Sequence, residues 1–251
     1  MPVCYRILEF ISLMKEQEVK NFHPLLALAI SLYIFNFFPV PFTILLSFVG
    51  DWVYQNPVEV EMSFVGKVLL YPIKDNLVMI LTAPLIIYFM VWRMRKRGID
   101  LKNELGLFLF HKSVLLRSIF ALALLLILEE VYMRVLQVEV PESFLRFMLS
   151  EPIILGIITT LIVAPVLEEF IFRGFLFSQL KIRLGNWAAI SLSSLAWTLM
   201  HLQYEIKILA ILFVLGLFLG FFRWKYNSLF LVIILHAANN LVGYVSSYYF
   251  L

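Results

Sequence analysis

Three short stretches in the second half of the chain combine residue types suited to hydrolysis. They are Glu168, Glu169 and Arg173 in PVLEEFIFRGF, His201 at the end of WTLMH, and His236, Asn239 and Asn240 in LHAANN. Glu169 and Arg173 are four residues apart, a spacing that pairs them on one helical face. Glu168 points about 100° away from Glu169 around the same helix. Arg173 can therefore compensate one carboxylate while the other faces a cavity. Two adjacent carboxylates in low dielectric repel, which raises the proton affinity of at least one. A carboxylate of that kind accepts a proton from water near neutral pH. His201 can orient that water or share its proton. His236 and Asn240, one turn apart, can offer donors to a developing oxyanion. Base, oriented water and oxyanion donors are the minimum set for peptide hydrolysis by activated water.

Other chemistries fit these residues less well. Ser191, Ser193 and Ser194 lack the glycine-flanked elbow of a serine nucleophile, and Cys4 is far from every histidine. Glu168, His201 and His236 are legitimate zinc ligands, but there is no HExxH and three separate helices would have to supply them. No cofactor is expected, with zinc as the minority reading. A blander role for His201 and His236 is to anchor helices by hydrogen bonds. His23 and His111 fall near interfaces, as ordinary surface groups. The EExxxR spacing recurs at Glu129, Glu130 and Arg134 in LEEVYMRVL, without a histidine at the matching distance. That copy reads as an ion pair at the membrane surface, and it shows that two glutamates and an arginine do not make a site.

The elements that must position these groups are membrane helices. Of 251 residues, 62% are hydrophobic and 15% are charged, against about 25% charged in a soluble domain; mean hydropathy is +0.93. A soluble enzyme is excluded, and a net charge of +3 gives no reason to expect nucleic acid. The expected fold is an all-α polytopic transmembrane bundle of about seven spans. They lie near 24–50 (broken by Pro39 and Pro41), 75–92, 116–136, 151–178, after Gly185, 207–222 and 228–250. The first twenty residues carry no signal-peptide pattern. With the N-terminus in the cytosol, only Lys67, Lys74, Arg134, Arg146 and Lys207 fall on the opposite face, and Arg173 within a span. The positive-inside rule thus favours a cytosolic N-terminus and a C-terminus on the other side, in the plasma membrane or an equivalent internal membrane. LGLFLFHKSVLLR (105–117) is expected as an amphipathic helix along the interface. Counted from the turns near Leu184 and Tyr226, Glu168, His201, His236 and Asn240 reach similar depths and can share one polar cavity. Gly216 and Gly220 suit a tight helix crossing.

The combination EEFIFRG (168–174), WTLMH (197–201) and HAANN (236–240) resembles the CAAX protease and bacteriocin-processing (CPBP, or abortive-infection) family of intramembrane endopeptidases. The hallmarks of that family are EExxxR, FxxxH and HxxxN, with Trp197 standing here for the commoner Phe. The resemblance covers about 150–245 and divides the chain into N-terminal helices with a basic loop (1–149) and a CAAX-protease-like catalytic core (150–251). It implies that Glu168 and His201 activate water and that His236 and Asn240 stabilise the oxyanion, with Glu169, Arg173 and Trp197 in support. Eukaryotic members cleave after a prenylated cysteine. The implied activity is glutamate-dependent hydrolysis of a peptide bond in a membrane-associated or lipidated substrate. The alternatives are a non-catalytic membrane immunity or scaffold protein of the same family, and a small transporter.

Overall fold

The computed structural model describes residues 22–41, 71–139 and 153–247, and every regular element among them is helical. His23 caps α1 (Pro24–Phe37) by accepting from the Leu25 N–H, and Pro24 opens it where an N–H has no helical partner. At 14 residues this helix reaches about 21 Å and stops short of Pro39. Residues 42–50 of the expected first span lie outside the described residues. The second helix, α2 (Tyr71–Lys96), ends on Arg93, Arg95 and Lys96. After it, Asp100 caps α3 (Leu101–Leu105) by accepting from the N–H groups of Lys102 and Asn103. The Asn103 bonds hold the Asp100 carboxyl below its ordinary range.

The expected interfacial helix over 105–117 does not form. Gly106, at φ 66°, ends α3 in the left-handed region, and residues 106–111 are non-helical. Leu107 forms an antiparallel bridge with Ser228, and the Leu229 N–H donates to the Gly106 carbonyl at 2.8 Å. Tertiary pairing thus overrides the apolar pattern of this stretch. His111 then caps α4 (Lys112–Val135) by accepting from the Ser113 N–H.

The remainder is a run of helices with two wide turns. α5 (Ile153–Ile158) passes into the π-helical segment π1 (Thr159–Val163), then α6 (Ala164–Glu169) and a second π-helical segment, π2 (Phe170–Leu176). Pro165 sits just beyond π1. Its ring crowds the carbonyl four residues back in an α-helix, and a single π turn relieves that contact, with the Ala164 N–H reaching the Thr159 carbonyl. α7 (Phe177–Leu199) breaks at Gly185, whose φ 80°, ψ 175° is open to glycine. A continuous helix would set Glu168 about 44 Å from Trp197. The two side chains are bonded, so the chain doubles back at Gly185, where the turn was expected. α8 (Ile206–Tyr226) and α9 (Leu229–Ser247) complete the bundle.

Among the described residues four stretches are long and apolar enough to cross a membrane: Asn76–Lys96, Ile153–Leu199, Ile206–Tyr226 and Leu229–Ser247. The second of them is the doubled-back stretch that supplies the expected fourth and fifth spans. Large apolar side chains such as Tyr88, Leu116, Ile127 and Leu128 are exposed, which suits lipid rather than water. The chain is an integral, multi-pass membrane protein. Its basic segments gather at one end. There the Phe22 N–H donates to Gln179 Oε1 (2.8 Å), Arg223 Nη2 donates to the Glu104 carbonyl (3.0 Å), and Arg97 lies over the Phe22 ring. At the other end Lys207 Nζ donates to the Leu136 carbonyl at 3.1 Å.

Candidate active site

The glutamate pair lies where α6 gives way to π2, and wide π turns are frequent at functional sites. Glu169 and Arg173 make the ion pair their spacing predicts, Nη1 to Oε1 at 2.7 Å, with both side chains fully buried. The same Oε1 faces His236 Nδ1 at 2.8 Å. Arg173 Nη2 also donates to the Gly216 carbonyl (3.3 Å), and its guanidinium lies 4.8 Å from the Trp197 ring centre. Buried charges survive only when paired and hydrogen-bonded, and α6, π2, α8 and α9 all contribute here.

Glu168 points elsewhere, as the 100° offset requires. Its Oε2 accepts from Trp197 Nε1 at 2.5 Å and lies 4.0 Å from His236 Nε2. Its side chain is 10% exposed, against 0% for Glu169. Trp197 stands between the two histidines, edge-on to His201 (5.0 Å between centroids) and to His236 (5.5 Å). The carboxylate thus meets Trp197, one turn before His201. A π segment holds more residues per turn than an α-helix, so it shortens the leg from Gly185 back to Glu168.

The histidine tautomers follow from their partners. His201 Nδ1 lies 3.0 Å from the Trp197 carbonyl, which can only accept, so Nδ1 carries the proton and Nε2 of the neutral ring is an acceptor. By the same reasoning His236 Nδ1–H donates to Glu169 Oε1. Asn240 Nδ2 donates one hydrogen to the Thr160 carbonyl in π1 at 3.0 Å, leaving its second hydrogen for another acceptor. Asn240 is one turn beyond His236 on α9, and its Oδ1 accepts from Asn239 Nδ2 at 3.5 Å. Tyr204 stacks on His201 (6.3 Å between centroids, 17°). Burial, with the nearby Glu168 charge as a smaller cause, holds its hydroxyl above the ordinary phenol range. Both half-buried rings lie beyond Leu199, at the end of the bundle opposite the basic segments.

Two residues outside the motifs hold this arrangement and were missed in the sequence. Arg223, 2% exposed, donates from Nε to the Arg173 carbonyl (3.0 Å) and from Nη1 to Asn227 Oδ1 (2.6 Å), as well as to Glu104. Ser178 Oγ donates to the same Glu104 carbonyl. By its place at the end of a span Arg223 looked like one more interfacial cation. A Cβ on Gly106 would fall 2.5 Å from its guanidinium carbon, so the neighbouring LGL glycine is what lets the arginine in. Gly216 and Gly220 pack against Ser194 and Ile190, which is the close crossing expected of them.

The zinc set does not fit. Among the described residues no three His, Cys, Asp or Glu side chains group as a metal site requires. The indole of Trp197 separates His201 from His236 and occupies Glu168 Oε2.

Fold and site together define a polytopic α-helical membrane protein with a buried polar centre built from five helical elements. Residues 150–242, which include every residue of that centre, match the family model of the type II CAAX prenyl endopeptidases described as Rce1-like. Over this part the chain is similar to the CAAX-protease (CPBP) family. No curated protein and no solved structure matches the chain.

Proposed function

We propose that the protein is an intramembrane, glutamate-dependent endopeptidase that hydrolyses a peptide bond of a membrane-associated or lipidated substrate. The observation that carries this reading is the unequal surroundings of the two carboxylates. Glu169, fully buried, holds both Arg173 and His236 on its Oε1, whereas Glu168, slightly exposed, lies beside Trp197 and the histidines.

In the proposed reaction a water sits between Glu168 and Nε2 of His201. Glu168 takes a proton from it as the oxygen attacks the peptide carbon. The oxyanion is met by the second Asn240 amide hydrogen and by the His236 ring, whose Nδ1 is held on Glu169. Collapse breaks the C–N bond, and the proton on Glu168 passes to the leaving amine. Trp197 keeps Glu168 in place, and Arg173 holds Glu169 in its ion pair. Positioned acid–base groups contribute about 10²–10⁴-fold to such a step, and one oxyanion donor about 10²–10³-fold.

The segment 150–251 would carry the catalysis, and 1–149 the surrounding helices and basic loop. The seven-span topology with a cytosolic N-terminus is part of the same proposal. Reporter fusions test it, and a cytosolic C-terminus would contradict it. The activity is tested by incubating the reconstituted full-length protein with membrane-anchored peptides, with and without a lipidated cysteine, and reading fragments by mass spectrometry. Cleavage that disappears in Glu168→Gln and in His201→Gln supports the reading. Equal cleavage by the wild type and both variants would remove it.

A further inference from the structure

A cavity lies away from the polar centre. α1 packs against π2 and α7, with the Phe22 ring edge-on to Phe175 at 5.3 Å. Beside this contact a cleft of about 680 Å³ remains between α1 and α2, within the range of about 300–1,000 Å³ common for small-molecule sites. Phe22, Ile34, Phe89, Met90, Trp92 and Phe175 line it, and Arg93 is the one charged side chain in its wall. Tyr33, Phe89 and Trp92, also in the wall, are exposed, so the cleft opens sideways toward the bilayer.

Three observations name the occupant. The wall is apolar along the helices and ends in a cation, the pattern of an acyl chain joined to an anionic head. Among the described residues Arg93 has no carboxylate partner; its guanidinium lies over the Trp92 ring, 5.8 Å from the centroid. It stands exposed in a basic run with Arg95 and Lys96, where anionic head groups collect, beside an interfacial tryptophan. A polypeptide in the same cleft would bring backbone N–H and C=O groups with almost nothing to bond, which is costly in a membrane. An acyl chain brings none. The cleft and Arg93 lie at the basic end of the bundle, whereas His201 and Tyr204 lie at the other, so its occupant is not the peptide at the polar centre.

We infer that the α1–α2 cleft binds an anionic phospholipid, one acyl chain lying against Phe22, Ile34 and Phe89 and the phosphate at Arg93. The site fixes α1 against π2 from the lipid side and is independent of any hydrolysis. It is tested on the full chain in vesicles whose phosphatidylglycerol or phosphatidylcholine carries bromines on the acyl chain. The Trp92 contribution is the difference between wild type and Trp92→Phe, which separates it from the other four of the 5 tryptophans. Brominated phosphatidylglycerol is expected to quench that contribution at about fivefold lower mole fraction than brominated phosphatidylcholine, the preference one interfacial cation confers. Arg93→Gln should erase the difference and leave quenching by either lipid. Should Trp92→Phe fold poorly, native mass spectrometry of purified wild type and Arg93→Gln replaces it, with retained phosphatidylglycerol expected in the wild type alone. Equal quenching by both lipids, or retention equal in both proteins, would overturn the head-group assignment. A Trp92 contribution that neither lipid quenches would show the cleft closed by polypeptide and overturn the whole.

Discussion

The spacing EExxxR occurs twice, and the two copies have opposite surroundings. In α4 the second glutamate pairs with its arginine, Glu130 to Arg134 at 2.6 Å, with side chains 49% and 78% exposed. At the α6–π2 junction the second glutamate again pairs with its arginine at nearly the same distance, and both side chains are fully buried. The ion pair is therefore a local product of i,i+4 geometry, available wherever the spacing falls on a helix. Only the partners brought by other helices differ: His236 from α9, the Gly216 carbonyl and Arg223 from α8, and Trp197 from beyond the Gly185 break. A short motif has chemistry when the fold converges on it.

The largest difference between the copies is expected from neutralising the paired glutamate. Glu169→Gln leaves Arg173 buried without a counter-charge, a loss of about 3–5 kcal/mol, whereas Glu130→Gln should change stability by about 0.5 kcal/mol or less. Thermal unfolding of both variants in one detergent measures this, and equal midpoints would break the distinction. Gly216→Ala comes next. Its methyl would meet Ser194 Cβ at 3.0 Å and Arg173 Nη2 at 3.4 Å, an overpacking worth about 1–3 kcal/mol, with cleavage falling alongside the melting temperature.

Trp197→Phe sharpens the comparison from the other side. It keeps the ring between the histidines and removes the N–H on Glu168, a bond to a charged group worth about 1.5–3 kcal/mol. On the proposed mechanism, turnover drops by roughly tenfold or more while the fold persists, and unchanged turnover would show that the indole N–H does not position Glu168. The smallest effect is expected at Glu104, whose carbonyl binds Arg223 and Ser178 while its carboxyl is free to change. Burial raises that carboxyl above 4.5, so ionising it opposes folding. Glu104→Gln should raise the melting temperature slightly at pH 7, and the gain should vanish below about pH 4.5, where both side chains are neutral. A loss of stability at pH 7 would contradict this.

How much could be read in the sequence follows from how local each feature is. The Glu169–Arg173 pair, the break at Gly185 and the Gly216–Gly220 crossing depend on spacing along one helix or on one glycine, and all were legible. The membrane character followed from composition. The π turns on either side of the glutamates were not legible, since wide turns depend on packing as much as on Pro165. Trp197 read only as a supporting aromatic in place of the commoner Phe, because its role rests on an N–H bond to a residue 29 positions away. Arg223 was hidden for the same reason, with its Glu104 partner 119 positions off. The stretch 105–117 misled because its apolar pattern suits an interfacial helix, while Gly106 and the pairing with Ser228 and Leu229 keep 106–111 out of a helix.

The central claim is a division of labour between adjacent carboxylates: Glu169 holds the helices together and Glu168 handles the proton. The measurement that tests it most directly sets peptide turnover beside thermal midpoint for Glu168→Gln in the reconstituted full-length protein. A midpoint within a few degrees of wild type with turnover reduced at least about 100-fold is predicted. Turnover within a factor of about two of wild type, at the same midpoint, would contradict it.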